Sequence, residues 1–330
     1  MRYLITGGAG FIGSHLAEAL LARGESVSIL DDLSTGSPEN VAHLLGDESV
    51  TFRRGSLLDQ QVVRDEVERA DVVVHLAAAV GVRLIVERPL ESFITNIRGT
   101  EIVLEECLRL GRKILIASTS EVYGKNESGP LAEDADRILG PTFKARWSYA
   151  TSKAADEILA FTYWRKWSLP TIVARLFNCV GPRQTGAYGM VVPRLVRQAL
   201  EGGDLTVYGD GEQRRCFCHV GDTVRAILAL LDEPGSAGDV FNIGSTEEVT
   251  INELAERVLA ATGSSSRIVH IPYASAYEEG FEDMRRRLPN IGKIGQLVGW
   301  TPSRTLDQIL DDVISHERVR EHEGARETTP

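Results

Sequence analysis

Tyr149 and Lys153 stand four residues apart in Arg146-Trp147-Ser148-Tyr149-Ala150-Thr151-Ser152-Lys153, at the start of a helical pattern running to about Trp167. That spacing puts both on one helix face, roughly 5 to 6 Å apart at Cβ. A phenol beside an ammonium can serve as a base, because the positive charge favours the phenolate. Upstream lies Ser118-Thr119-Ser120-Glu121-Val122-Tyr123-Gly124. The run Lys113–Ala117 before it is short, apolar and β-branched, which predicts a buried strand with Thr119, Ser120 and Glu121 at its end. Ligands of open parallel sheets bind outside such ends. A Tyr and a Lys at this spacing are common by chance and usually a surface feature, so the pair draws its meaning from the hydroxyl-rich strand end before it.

The elements that position these residues begin at the amino end. Arg2–Thr6 reads as a strand, followed by Gly7-Gly8-Ala9-Gly10-Phe11-Ile12-Gly13 and an amphipathic helix to about Arg23. Gly7 permits the tight turn, Gly10 lets backbone N–H groups approach a pyrophosphate, and Gly13 allows close packing of helix on strand. The next strand, Val27–Leu30, ends in Asp31-Asp32. A carboxylate at Asp31 would bind the adenosine ribose hydroxyls and repel a 2′-phosphate, which favours NAD over NADP.

Alternation continues with a strand near Val50–Arg53, a helix near Gln60–Glu68, a strand Val72–Leu76 and a long helix from about Leu90 to Leu110. This pattern predicts an α/β, Rossmann-type doubly wound parallel sheet. His75-Leu76-Ala77-Ala78 leaves room for a flat cofactor, although a packed αβ junction explains those alanines about as well. A strand Thr171–Arg175 leads to Asn178 and the Gly181-Pro182 turn, then a helix at about Val191–Glu201. The last third reads as a smaller α/β substrate-binding lobe. Its short strands Leu205–Tyr208, Val240–Ile243 and Arg267–Ile271 alternate with helices, one opened by a capping box from Thr250 to Glu253. We expect a dinucleotide-binding domain over 1–178 and a lobe mostly over 179–330, with some segments returning to the sheet. The polar clusters Asp210–Arg215 and Arg285-Arg286-Arg287 could hold a pyrophosphate, since the planar arginine fork suits phosphate oxygens; an isolated arginine triplet is more often a solvated run, and the charged tail after His316 is expected to fray.

Composition narrows the function classes. The 330 residues are 43% hydrophobic and 25% charged, with net charge −11 and pI near 5.2. An acidic chain is a poor partner for nucleic acid or an anionic membrane surface, and no apolar run is long enough to span a bilayer. Four scattered cysteines, Cys107, Cys179, Cys216 and Cys218, imply reduced thiols and a cytoplasmic setting. Cys216-Phe217-Cys218-His219 lacks the second ligand pair of a structural zinc site, so no metal is expected.

The ordered segments GGAGFIG, HLAA, STSEVYG, YATSK, RLFNCVGPR and DGEQRRCF resemble the extended short-chain dehydrogenase/reductase family that acts on nucleotide sugars. GPTFKARWSYATSK, RLFNCVGPR, GDGEQRRCF and EEGFEDMRRRLPNIGKIGQLVGW further resemble its UDP-glucuronate decarboxylases, of the aminoarabinose-pathway and UDP-xylose synthase type. The resemblance implies that Tyr149, its acidity raised by Lys153 and a nicotinamide cation, takes the proton from the sugar O4′, with Thr119 bonded to the same oxygen. It implies a 4-keto β-keto acid that loses carbon dioxide to give UDP-xylose or a UDP-4-keto-pentose. Ser120 replaces the acid of the dehydratases and the cysteine of the UDP-apiose/xylose synthases, and Glu121 replaces the small residue of 4-epimerases. Arg287 would lie near the substrate carboxylate, which Glu121 would orient.

By the same resemblance, Gly7, Gly10, Phe11, Ile12, Gly13, Asp31, Asp32, Ser56, Leu57, Leu76, Ala77, Ala78 and Asn96 join Tyr149 and Lys153 around NAD. Asn178, Val192, Arg194, Tyr208, Arg215 and Arg287 would hold the UDP-sugar, with Asn178 and Arg215 on the diphosphate. Ser56, Asn290 and Cys216 depart from the residues common in relatives. A UDP-sugar 4-epimerase and, behind it, a UDP-apiose/xylose synthase are the runner-up readings. A non-catalytic dinucleotide sensor is opposed by the intact Tyr149, Lys153 and Thr119. A homodimer through helices near 91–109 and 149–166 follows by analogy.

Overall fold

Strand β1 (Arg2–Thr6) buries Tyr3, Leu4 and Ile5 in succession, as suits a sheet covered on both faces. The computed structural model describes residues 1–79, 89–186, 190–273 and 284–327; the beginning of the EEGFEDMRRR segment, 278–283, lies outside them. β1 is central in a seven-stranded sheet with β2 (Ser26–Asp31), β3 (Val50–Arg54), β4 (Val72–His75), β5 (Lys113–Thr119), β6 (Thr171–Leu176) and an edge strand, Asp239–Ile243. Across the sheet the order is edge strand, β6, β5, β4, β1, β2, β3. Every pairing is parallel. The chain reverses its direction of travel between β1 and β4, and a crevice opens at such a switch point.

Helices cover both faces. On one, Leu16, Ala17 and Leu20 of α1 (Phe11–Ala22) pack with Val224, Ile227 and Leu230 of the helix Val220–Asp232. On the other, α2 (Gln60–Arg69), α3 (Pro89–Leu110) and α4 (Ser148–Trp167) bury Val63, Val67, Ile102, Val103, Cys107 and Ala160. A third apolar cluster joins Leu195, Val196, Leu254, Val258, Ile309 and Leu310 in the last third of the chain. There the strand Arg214–Cys216 lies between Glu248–Thr250 and Arg286–Arg287. The capping box forms as its sequence predicts, Thr250 and Glu253 each bonding the other's backbone N–H.

Several boundaries differ from expectation for identifiable reasons. β5 continues past Ala117 because Ser118 and Thr119 keep register with Arg175 and Leu176, and Ser118 Oγ donates to Glu157 Oε1 at 2.5 Å. A polar strand end is invisible to an apolar pattern when its partner lies far away in sequence. Val240–Ile243, grouped with the short strands of the last third, belongs to the edge strand and pairs Val240 with Val173. The arginine triplet is not one solvated run: Arg285 is exposed, while Arg287 is 7% exposed. The tail does not fray at His316; its helix, Leu306–Glu327, is anchored by Glu317 against Arg197.

A buried ion pair ties the sheet to a helix. Arg175 of β6 donates to Glu157 of α4 through Nε at 2.9 Å and Nη2 at 2.7 Å, both side chains buried. Removing one partner strands a buried charge, so Glu157→Ala should lose about 3 to 5 kcal/mol, read as a lower midpoint of denaturant unfolding; a loss below about 1 kcal/mol would contradict the assignment.

Candidate active site

A cleft of about 1300 Å³ opens at the strand ends around the switch point. Its lining includes Gly7, Gly10, Phe11, Ile12, Gly13, Asp31, Asp32, Leu57, Leu76, Ala77 and Ala78 from the expected cofactor set, and Thr119, Ser120, Glu121, Tyr149, Asn178 and Arg287 from the expected chemistry. The glycines are forced by contact. Gly7 has φ +72°, and a Cβ there would lie 2.8 Å from Ala77. A Cβ on Gly13 would lie 2.3 Å from the Gly7 carbonyl oxygen. Gly10 caps α1 with an extended backbone and no side chain, which leaves the helix N-terminus open to an anion. The carboxylate of Asp31 accepts from Ala9 N–H at 3.0 Å and Leu33 N–H at 2.8 Å. Burial still outweighs those bonds and raises its pKa. Each oxygen retains a lone pair for a ribose hydroxyl, so cradle and carboxylate fit a dinucleotide of the NAD type.

Behind this wall runs a directional chain of hydrogen bonds. Ala77 N–H donates to Thr6 Oγ1 at 3.3 Å, and Thr100 Oγ1 donates to the Asn96 carbonyl at 2.8 Å. His75 bridges the two hydroxyls, with Nδ1 at 2.8 Å from Thr6 and Nε2 at 3.0 Å from Thr100. Thr100 has given its hydrogen away, so Nε2 carries the ring proton and Nδ1 accepts from Thr6. Burial, then Lys153, pulls the His75 pKa down to about 3. Asn96 accepts from Ala79 N–H at 2.7 Å and donates to Ser152 Oγ at 3.3 Å, while Ser152 donates to the Tyr149 carbonyl at 2.9 Å. Asn96 therefore reaches the Tyr149 backbone through Ser152.

The reactive side is dense with charge. Thr119 Oγ1 accepts from Glu121 N–H at 3.2 Å, which leaves its own hydrogen free to donate. Ser120 is buried and accepts from Arg287 Nη1 at 3.2 Å. Glu121 accepts from Arg146 Nη1 at 2.5 Å and lies 3.9 Å from Arg287 Nη1. Burial opposes its charge, but Arg146 and then Arg287 outweigh that and hold Glu121 below the usual carboxylate range. Arg146 was not singled out from sequence, although its place three residues before Tyr149 was the available signal.

Among the protein's own groups, burial and then Glu121 and Asp156 push the Tyr149 pKa up. Lys153 Nζ donates to Asp156 Oδ2 at 2.8 Å. Sequence reasoning passed over Asp156.

The expected substrate residues divide. Asn178, in a left-handed conformation (φ 39°), donates to the Cys216 carbonyl at 2.8 Å at the cleft wall. Val192, Arg194, Tyr208 and Arg215 are not among the described residues lining that wall. Val192 is consumed by the apolar cluster of the last third. The Arg194 guanidinium lies 4.5 Å from the Tyr208 ring centroid and donates to the Thr206 carbonyl at 2.7 Å. Arg215 acts on the cleft through its charge, which helps lower the Glu121 pKa. Ser56 accepts from Leu58 N–H in an exposed local turn, and Leu57 supplies the cleft surface. Cys216 and Cys218 are buried thiols pushed up to about 12 by burial.

A clasp missed in the sequence crosses the cleft. Arg183 Nη2 donates to both oxygens of Glu18 on α1, at 2.6 and 2.7 Å, and Nη1 donates to the Asn40 carbonyl at 3.3 Å. Asn40 in turn donates to the Ala9 carbonyl at 2.9 Å, within the glycine loop. Arg183→Ala should release NAD faster, by about fivefold for a pair of this exposure, in a fluorescence chase of bound cofactor; an unchanged rate would rule out the clasp as a cofactor restraint.

Known proteins align with this arrangement. The model of the NAD dependent epimerase/dehydratase family matches residues 3–244. A UDP-N-acetyl-alpha-D-glucosaminuronate decarboxylase from Bacillus cytotoxicus is 43% identical over 323 residues, which is 98% of this chain and 99% of that protein. UDP-glucuronic acid decarboxylase 1 of Danio rerio is 35% identical over 330 residues, covering 100% of this chain and 76% of that one. Among solved structures, a UDP-glucuronic acid 4-epimerase from Bacillus cereus, in complex with UDP-glucuronic acid and NAD, superposes with a TM-score of 0.87 at 29% identity, covering 97% of this chain and all of the other. The matched span runs from β1 through the edge strand and so takes in the seven-stranded sheet and the glycine loop: the chain belongs to the NAD dependent epimerase/dehydratase family.

Proposed function

We propose that the protein is an NAD-dependent decarboxylase of UDP-glucuronate, working through a 4-keto intermediate. The observation that carries this reading is Glu121 held anionic between Arg146 and Arg287, beside Tyr149, Thr119 and Ser120. When bound, NAD accepts a hydride from C4′ and supplies a cationic ring. Tyr149 takes the proton from O4′, and Thr119, whose oxygen is already engaged by Glu121 N–H, donates its hydrogen to the same atom. The ketone so formed is β to the C5 carboxylate. Breaking the bond to that carboxylate sends its electron pair toward O4′, where Thr119 and Tyr149 stabilise the enolate by donating hydrogen bonds. Arg287 and Arg146 give the substrate carboxylate its counter-charge, and Glu121 places a second anion beside it. Loss of neutral carbon dioxide relieves that crowding of like charge. Ser120, with no acidic proton to give, does not support dehydration.

The sugar admits a second reading. The relative at 43% identity is named for the N-acetylated hexuronate and the one at 35% for UDP-glucuronate, so the group at C2 is the variable. Incubation with each sugar nucleotide, with release of carbon dioxide as the readout, should give gas from UDP-glucuronate. Gas from the N-acetylated sugar alone would transfer the assignment to it, and 4-epimer without gas from either would establish an epimerase. Tyr149→Phe should lower turnover by about 10²-fold or more.

Four unbridged cysteines, three of them buried, suit a reducing compartment such as the cytoplasm, and no described helix is long and apolar enough to cross a membrane. We further propose a homodimer through α3 and α4, where Leu90, Ile94 and Ile158 are 67%, 45% and 60% exposed. Ile158→Glu should shift sedimentation toward the monomer, whereas a wild-type monomer at micromolar concentration would refute the interface.

A further inference from the structure

Lys153 is committed to a carboxylate on its own helix. The spacing of Tyr149 and Lys153 puts the ammonium within reach of the phenol one turn back. The ammonium donates to Asp156 Oδ2 at 2.8 Å, three residues onward. The two side chains are 3% and 0% exposed, so water does not screen them. We propose that Asp156 is a positioning residue, which anchors the Lys153 ammonium away from Tyr149 and offsets its charge there.

The surroundings leave Asp156 as the group able to do this. From β4, His75 faces Lys153 as a neutral ring with its proton on Nε2. Burial raises the Asp156 pKa, while the Lys153 ammonium and then, from α3, a hydrogen bond with the uncharged Thr100 act to lower it. On α4, Glu157 is next in sequence, and Arg175 of β6 engages both its oxygens. Glu121 acts on Tyr149 from the other side of the cleft and is itself paired with Arg146. Asp156 is thus the one of these carboxylates in contact with the lysine, and its charge also disfavours the Tyr149 phenolate. A loaded dinucleotide that competes for the ammonium weakens the Asp156 contact and returns positive charge to the tyrosine. The base is then held weak until the cleft is filled.

This inference rests on Tyr149 as the base of the proposed reaction, so its test includes a measurement that needs no turnover. Asp156→Asn preserves shape and still offers an oxygen to the ammonium while removing the negative charge. The titration of Tyr149 in cofactor-free protein is read from tyrosinate absorbance, as the difference between each background with and without Tyr149→Phe. We expect Asp156→Asn to move that titration down by about one pH unit, and to move the acidic limb of the kcat profile in the same direction. Asp156→Ser, which keeps a hydroxyl acceptor, is measured in parallel against impaired folding of the amide. A lower titration without decarboxylation supports the positioning role and refutes the reaction. A Tyr149 titration within about 0.2 unit of wild type in a folded variant, even with lowered stability, overturns the proposal and makes Asp156 a simple buried counter-ion.

Discussion

The buried pair of Arg175 and Glu157 fixes where everything else can sit. It ties the carboxyl end of β6 to α4, the helix that carries Tyr149 and Lys153. Glu157 also accepts from Ser118, so the end of β5 is held by the same carboxylate. Arg175 goes on to Tyr123 Oη at 2.7 Å, and Tyr123 donates to Asn242 of the edge strand at 2.8 Å. Asn242 then donates to the Leu131 and Asn290 carbonyls, which lie next to the strand bearing Arg287. One connected set of polar groups therefore spaces the base, the hydroxyl shelf and the arginine. Buried ion pairs seldom add net stability over apolar packing of equal volume. What this network supplies is a single arrangement, since a shift of α4 by one residue would leave several buried polar groups unpaired.

The same economy of charge extends to the reacting groups. Glu121 has Arg146 and Arg287, Lys153 has Asp156, and Glu18 has Arg183. Ions taken out of water need partners, and each here finds one within the protein. Ligands then act by exchange. A substrate carboxylate competes with Glu121 for arginines already in place, and a dinucleotide competes for the lysine. Such exchange lowers the affinity that bare cations would give, but it avoids rebuilding the site around each ligand.

How far the sequence revealed all this depended on the range of the signal. The glycine loop, the strand to Asp31 and the alternation of elements are local patterns, and they placed the cofactor cleft and the doubly wound sheet. Thr119, Ser120 and Glu121 were found because a hydroxyl-rich strand end is a local signal too, and Tyr149 because it stands one helical turn before Lys153. The membership of Asp239–Ile243 in the main sheet was hidden, since its partner, Thr171–Leu176, is remote in the chain. Arg183 escaped notice for the same reason, as Glu18 lies far upstream. Asp156 is different. An acid three residues after a lysine is visible at helical spacing, but surface pairs of that kind are so common that only burial of both partners gives this one its meaning. The spacing of Tyr149 and Lys153 was counted on the same ground, and the competitor for the lysine's charge was not.

The neighbouring enzymes bear on which residues can decide an outcome. A 4-epimerase superposes over the whole of its length at 29% identity, and a decarboxylase aligns over nearly the whole chain at 43%. Fold, cofactor cleft and first oxidation are compatible with both, so none of the groups serving those steps can select the product. Selection must come from groups that meet the ketone after it forms. In this chain those are Ser120, Glu121, Arg146 and Arg287, and their contacts form a closed set: Arg287 reaches Ser120 and Glu121, and Arg146 reaches Glu121. A keto sugar that must turn over to expose its other face needs freedom at its C5 substituent. In the proposed reaction, two arginines with a fixed carboxylate between them would grip a C5 carboxylate instead. A ketone held in that way would lose the carboxylate more readily than it could rotate, and decarboxylation would then follow from restraint of the substrate as much as from any proton transfer.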